Sequence, residues 1–290
     1  MTDIVYADAH CHSNPVRGLG ALKIAERFRK SGGWFISLIS LSPWSYAIDF
    51  TGLDSYKEAV DIHLRECKAA EEAGMRVACI AGMHPADIDR LIDRYRLDPL
   101  EALELGLQVI DYVASLCKEG VLDGIGEVGR QHYRTSPERV AMAEVIMEKA
   151  IEYARDYGCI VHLHLENQGR ITAELVHRRV SVLGLPSNSR ARLVFHHARP
   201  DLAREALNRG YPASVPGLPR VLEYTFKSLE PDYMIESDFI DDPARPGVVI
   251  YPWEMARNQA RLQAKGLVSE EYLYKINVDN IVKVYGVEPP

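Results

Sequence analysis

Five residues near the start of the chain carry the first chemical signal: Asp8-Ala9-His10-Cys11-His12. They follow a short apolar run, Ile4-Val5-Tyr6-Ala7. In a β-strand, residues two apart point to the same side. Asp8, His10 and His12 can therefore face one pocket at the strand's C-terminal end. Neutral imidazoles beside a carboxylate are ligands for zinc and related ions. A centre needs more donors than these, so the elements downstream must supply them.

Those elements alternate. Short runs rich in Val, Ile and Leu predict strands at 3–8, 34–41, 76–82, 121–126, 159–165, 191–196, 211–215 and 233–237. Amphipathic segments between them predict helices at 18–31, 55–73, 100–118, 136–157, 200–209, 218–229 and 252–263. Ser136-Pro137 opens one helix with an N-cap and a proline at the first helical position. Gly74, Gly120, Gly158 and Gly210 each close a helix just before a strand, where a left-handed cap is common. Strands alternating with helices predict a parallel sheet. Eight such units predict an α/β fold, a (β/α)₈ TIM barrel, with residues 1–290 as one domain. An open doubly wound sheet is the alternative, but no Gly-x-Gly-x-x-Gly turn follows the first strand. The longest irregular pieces, 42–54 and 239–251, follow strands and are expected on the catalytic face.

Composition sets outer limits. The 290 residues are 47% apolar and 26% charged, as in an ordinary globular enzyme. No apolar run is long enough for a membrane span. The first residues, Met-Thr-Asp, carry no basic region or apolar signal core, so a cytoplasmic location is expected. A net charge of −7 argues against a general duplex-binding surface. Residues 178–220 are different, with eight arginines against Asp201 and Glu205. They read as a solvated helical face that could also attract phosphate. The five cysteines (11, 67, 79, 117, 159) form no Cys-x-x-Cys pair. That spacing argues against a disulfide framework and a thiolate zinc site, leaving small buried apolar side chains.

Barrel enzymes carry their chemistry at the C-terminal ends of strands. Read in order, these ends hold His10 and His12, His84 in Gly82-Met83-His84-Pro85, Glu127 in Gly124-Ile125-Gly126-Glu127-Val128-Gly129, His162 and His164, His196 and His197, and Asp238 in Glu236-Ser237-Asp238. Seven of the ten histidines fall there, whereas His63, His132 and His177 do not. His10, His12 and Asp238 make sense as ligands of one ion, with Glu127 adding an oxygen. Glu127, His164 and His196 make sense as ligands of a second. Two ions about 3.5–4 Å apart can activate a shared water and steady the attacking and leaving oxygens. Asp238 is also placed to take the water's proton. Asp8, one step deeper, is expected to orient a histidine. His84 and Glu166 are expected to support the ligands or face the substrate.

Together these motifs resemble the TatD-type metal-dependent hydrolases of the amidohydrolase superfamily, and 236–247 is closer still to an archaeal TatD-related branch. The resemblance runs from Asp3 to the C-terminus, where Asn280 stands like the asparagine of that family's last helix. It implies a TIM barrel, one or two divalent metal ions (Zn, Mn, Mg, Co or Ni) and hydrolysis, often of phosphodiesters in nucleic acids. It places ligands at His10, His12, Glu127, His164, His196 and Asp238, with His162 and His197 as rivals at strands five and six. The chain departs from the family where substrate would touch. Gly126-Glu127-Val128-Gly129 continues to Arg130-Gln131, Glu166 replaces the usual arginine, and Ala198-Arg199-Pro200 follows strand six. Phosphotriesterase-like lactonases share the barrel, but they bridge their metals with a modified lysine, and no lysine stands at a strand end here.

The expected activity is hydrolysis of a small-molecule or nucleic-acid phosphoester, with Asp238 and Glu127 catalytic. No membrane contact and no obligate protein partner are expected. The second reading is cleavage of an amide, ester or lactone bond on the same metals. Glu166 and Arg130 would leave room there for a zwitterionic or amine-bearing substrate. A non-catalytic scaffold would show lost ligands, and none is lost.

Overall fold

The computed structural model describes residues 4–245, 247 and 249–290. Eight strands alternate with helices along the chain: β1 Tyr6–Cys11, α1 Ala21–Arg29, β2 Gly33–Ile39, α2 Leu53–Glu72, β3 Arg76–Ala81, α3 Ala86–Asp93, α4 Pro99–Lys118, β4 Gly124–Gly129, α5 Pro137–Tyr157, β5 Ile160–His164, α6 Arg170–Val182, β6 Leu193–Phe195, α7 Pro200–Leu207, β7 Ser214–Pro216, α8 Pro219–Ser228, β8 Met234–Glu236, α9 Pro252–Ala264, α10 Glu270–Tyr274 and α11 Asn280–Tyr285. Strands β1 to β6 form one parallel sheet in chain order, and β7 pairs with β8. Parallel bridges Phe195–Ala213 and Cys11–Phe239 join the two sheets on both sides, closing the (β/α)₈ barrel.

The expected strands lie within a few residues of the observed ones. The first begins at Tyr6; its expected start, Asp3, lies outside the described residues. The fourth runs three residues further than expected, so Glu127 is part of the strand. Its glycines are explained by crowding: a Cβ on Gly126 would sit 2.8 Å from the His162 Cβ. β4 thus lies close enough to β5 to bring Glu127 to the histidines there. Gly158 caps α5 in the left-handed conformation, as expected. The short α3 was not anticipated; it follows His84-Pro85 directly and lines the cleft.

The cysteine reading is corrected. Cys67 of α2 is bonded to Cys79 of β3, and Cys117 of α4 to Cys159 beside β5. Only Cys11 is free, and it is buried. Both bridges staple a helix to a neighbouring strand or strand start. Linear spacing does not reveal such pairs, because the fold alone brings their partners together.

Four of the eight arginines of 178–220 meet carboxylates on the outer helices: Arg178 pairs with Glu174, Arg179 with Glu144 and Glu148, Arg204 with Asp201, and Arg209 with Glu205 and Glu174. That supports the solvated face and removes these side chains as free phosphate receptors. No described helix is long and apolar enough to cross a membrane.

Candidate metal centre

Glu127 projects into a ring of imidazoles. Its Oε2 lies 2.8 Å from His164 Nδ1 and 2.7 Å from His196 Nε2, and those nitrogens are 3.1 Å apart. Its Oε1 lies 3.5 Å from His12 Nε2 and 4.0 Å from His84 Nε2. His10 Nε2 stands 3.9 Å from Oε2. One carboxylate on β4 is therefore shared between the β1 histidines and those of β5 and β6. That is the geometry of a group able to bridge two cations.

Hydrogen bonds set which nitrogen each ring offers. The Nδ1 of His12 donates to the Ile39 carbonyl at 3.0 Å, leaving Nε2 as a lone pair toward Glu127. The Nδ1 of His84 accepts the Ala86 N–H at 3.0 Å, so its Nε2 carries a proton and faces the centre as a donor. His197 behaves like His84. The Asn167 amide oxygen accepts the Arg199 N–H at 2.6 Å, and its NH₂ donates to His197 Nδ1 at 3.2 Å. The Nε2 of His197 then bears a proton, which makes the ring a donor rather than a ligand. Of the two rivals on β6, His196 turns a nitrogen to Glu127. On β5 that residue is His164; the Nδ1 of His162 instead meets the Nδ1 of His10 at 3.0 Å.

Asp8 does not reach an imidazole. Its Oδ1 accepts the backbone N–H groups of His10 and Ser237, tying the ends of β1 and β8 together. Asp238 has a left-handed backbone (φ 48°), with its N–H on the His10 carbonyl. Such a conformation is uncommon outside glycine and clusters at functional sites. Arg130 and Glu166 pair with each other, Nε to Oε2 at 2.9 Å and Nη2 to Oε1 at 2.6 Å. Neither is a free charge for the substrate, which corrects the expected room for a zwitterionic or amine-bearing substrate.

The electrostatics call for cations. Burial raises Asp238 well above the usual carboxyl range; Glu236, Glu127 and Asp8 add to this and His196 opposes it. Burial also lifts Asp8 to about 7. Burial lowers His10, His12 and His164, which keeps their rings neutral. Burial would lift Glu127, but His196, His84 and His164 outweigh it and hold its carboxyl well below normal. Against the pull of burial, Glu127 and Glu236 raise His196 to about 10. A proton on His196 thus takes the place a cation would fill. The His10 Nε2 is buried without a hydrogen-bond partner. Buried nitrogen and oxygen donors of this kind fit Zn²⁺, Mn²⁺, Co²⁺ or Ni²⁺. Donor atoms of His10, His12 and Glu127 lie within 4.8 Å of one another.

Three contributors were missed in sequence. Glu236 is fully buried below His196, with Oε1 3.7 Å from its Nδ1 and 2.6 Å from the His197 N–H. It was legible only as part of the Glu-Ser-Asp motif. Tyr285 reaches the centre from the far end of the chain, and nothing in its local sequence marks it. His132 stacks on His164, ring centroids 4.7 Å apart, from the loop after β4.

A parallel barrel with carboxylate and imidazole donors gathered at its C-terminal strand ends defines a TIM barrel with a candidate metal centre. Residues 7–286 match the model of the TatD related DNase family, and the chain belongs to that family. An uncharacterized protein of Methanocaldococcus jannaschii is 28% identical over 290 residues, covering 99% of this chain and 98% of the relative. Among solved structures, a TatD homologue from Escherichia coli superposes with a TM-score of 0.65 at 16% identity, covering 98% of each chain. The phosphotriesterase homology protein from Escherichia coli, which holds phosphate in its active site, also gives 0.65, at 11% identity, covering 98% of this chain and 100% of that one. At these identities the structural likeness speaks for the barrel. Family membership supports a metal-dependent hydrolase.

Proposed function

We propose that this protein is a metal-dependent phosphoesterase. The observation that carries the reading is the charge balance of the cleft. A cavity of about 740 Å³ opens on His12, His84 and Glu127. Arg17, Arg90 and Arg94 line it, and among the described residues none has a carboxylate within ion-pair distance. The carboxylates of the wall are already engaged. Asp89 and Asp93 pair with Arg139, and Asp242 with Arg245. Asp241 accepts the backbone N–H groups of Asn14, Leu19 and Gly20. Asp87 is held by Ser42 and Tyr56 and lifted by burial to about 7. The uncommitted charges are therefore cationic, and they suit an anionic substrate.

Roles follow from position. His10, His12 and Asp238 would hold one divalent ion and His164 and His196 a second, with the Glu127 carboxylate within reach of the imidazoles of both sets. Bound ions of this kind acidify water and neutralise charge on phosphoryl oxygens. Asp238 would take a proton from the attacking water on a carboxylate oxygen. The Nε2–H of His84 donates to a substrate oxygen, and the arginines hold the anionic remainder.

The test is an assay of the Zn²⁺-, Mn²⁺- and Mg²⁺-loaded enzyme on an aryl phosphodiester, an oligonucleotide, a carboxyl ester, a lactone and an amide. Phosphoester cleavage that stops on chelation and is absent in Glu127→Ala is expected. Turnover of an ester, lactone or amide with no phosphoester cleavage overturns the proposal.

A further inference from the structure

The far end of the chain touches the centre through one hydroxyl. Tyr285 closes α11, and its ring lies against Phe35 with centroids 4.8 Å apart. Its Oη is 3.0 Å from the Ala9 carbonyl and 3.1 Å from His162 Nε2. The other nitrogen of His162, Nδ1, is 3.0 Å from His10 Nδ1. The opposite nitrogen of His10, Nε2, is the buried atom with no partner, facing Glu127 at 3.9 Å. Four groups thus run in line from a backbone carbonyl to the metal centre.

The order of protons along this line is fixed at its outer end. A carbonyl oxygen only accepts, so the hydroxyl proton of Tyr285 goes to Ala9. Ala9 lies where the β1–β2 register slips, between the Asp8–Ile36 and Cys11–Leu38 pairs. The tyrosine oxygen then accepts, from the Ser37 hydroxyl and from His162 Nε2, which faces that oxygen at 3.1 Å and meets it favourably only as an N–H. His162 is fully buried and, among the described residues, has no carboxylate within ion-pair distance. It is therefore a neutral ring with one proton, on Nε2, and a lone pair on Nδ1. A single proton fits between the two Nδ1 atoms, and it must come from His10. His10 is left with its lone pair on Nε2, and an imidazole nitrogen binds a cation only through its lone pair.

We infer that Tyr285 and His162 are positioning residues that lock His10 in the Nδ1–H form, so that its Nε2 is always open to a cation. The opposite order shows what is at stake. A hydroxyl donating to His162 Nε2 would place a proton on His162 Nδ1 and hence on His10 Nε2, closing the ligand atom. The second residue of the His162-Leu163-His164 pair is then no spare ligand. It lies one layer deeper on the same face of β5, where it reads the ring of β1 rather than the ion. Such outer partners of ligating histidines govern metal affinity. The inference rests on the proposed role of His10 as a ligand.

The experiment uses the full chain with Zn²⁺ alone as probe. Imidazole-¹⁵N-labelled protein, metal-free and Zn²⁺-loaded, reports each ring's tautomer by long-range ¹H–¹⁵N correlation. Chelator competition reports affinity, and thermal unfolding of each metal-free variant reports the fold. Wild type should show His10 protonated on Nδ1 in both forms. Tyr285→Phe and His162→Phe should each bind Zn²⁺ about 10- to 100-fold more weakly. His162→Asn can set an amide oxygen where Nδ1 stood, and should restore affinity close to wild type. A merely structural role would lower the melting temperature of all three without this rescue. Wild-type affinity in both phenylalanine variants, or a His10 protonated on Nε2, overturns the inference. If wild type binds no Zn²⁺ at all, the metal reading fails, while the metal-free spectrum still decides the proton order.

Discussion

Arg130 and Glu166 form a two-point ion pair across the mouth of the barrel, with contacts of 2.9 and 2.6 Å. The Arg130 backbone N–H donates to the His164 carbonyl at 2.8 Å, so the pair also fixes the strand carrying a proposed ligand. The Arg130 side chain is 6% exposed, and its other contact is Glu144 at 3.3 Å. Glu166→Ala would leave a buried guanidinium with half its compensation. Removing one partner of a buried pair costs about 3–5 kcal/mol. Glu166 is 25% exposed and Glu144 remains, so a loss of roughly 2 kcal/mol in chemical denaturation is expected. A variant as stable as wild type would show that the pair contributes nothing to the fold.

The barrel and the ring of donors were legible in sequence for a simple reason. Period-two placement puts alternate residues on one face, and parallel strands end on one side of the sheet. Any His or Glu at a strand end is therefore brought to the same floor, as His12, Glu127 and His164 show. Which nitrogen each ring presents was not legible. That depends on partners such as the Ile39 carbonyl, Asn167 and Tyr285, which are set by register and not by spacing. Glu166 was misread because its partner lies 36 residues away, on the loop after β4. Its charge looked free until the fold supplied Arg130.

The disulfides were hidden in the same way, and they make a prediction of their own. The bridges span sequence separations of 12 and 42 residues. Loop closure of these sizes corresponds to about 3 and about 4 kcal/mol in the chain-entropy account. Reduction with a dithiol should lower the unfolding midpoint, with the Cys117→Ser, Cys159→Ser double variant losing more than its Cys67, Cys79 counterpart. Thiol titration of the denatured, unreduced chain should find a single free group, Cys11. Five reactive thiols there would mean that neither bridge forms.

His63 predicts an acid-sensitive contribution to stability. It is fully buried on α2, with Nε2 3.5 Å from Cys67 Sγ and Nδ1 without a partner. Burial lowers it to about 3 from the ordinary 6.5. The folded ring stays neutral while the unfolded one takes up a proton below about pH 6.5. Stability from this group is therefore full above pH 6.5 and is lost as pH falls toward 3. The slope is about 1.4 kcal/mol per pH unit while the two forms differ by one proton. His63→Leu should flatten the fall in unfolding free energy between pH 6 and 4 by about that slope. Parallel curves for the variant and wild type would remove His63 from the account.

The three uncommitted arginines give the sharpest test of the substrate's charge. Arg90 lies over the Trp44 ring at 4.6 Å, and its Nε is buried without a partner. It is thus held in place before any ligand arrives, and little ordering is left to lose on binding. Arg90→Ala should raise KM for a phosphoester by about tenfold, roughly 1.4 kcal/mol, with kcat near wild type, because the group binds a part of the substrate that does not react. Arg94→Ala and Arg17→Ala should act in the same direction but less strongly, since both side chains are exposed and must be ordered on binding. Arg245→Ala should change KM least, as that guanidinium already meets Asp242 at 3.4 Å. The rise in KM with added salt should also flatten in Arg90→Ala, because one screened attraction has gone. Unchanged KM in all four variants would mean that the anionic part of the substrate lies outside this cleft.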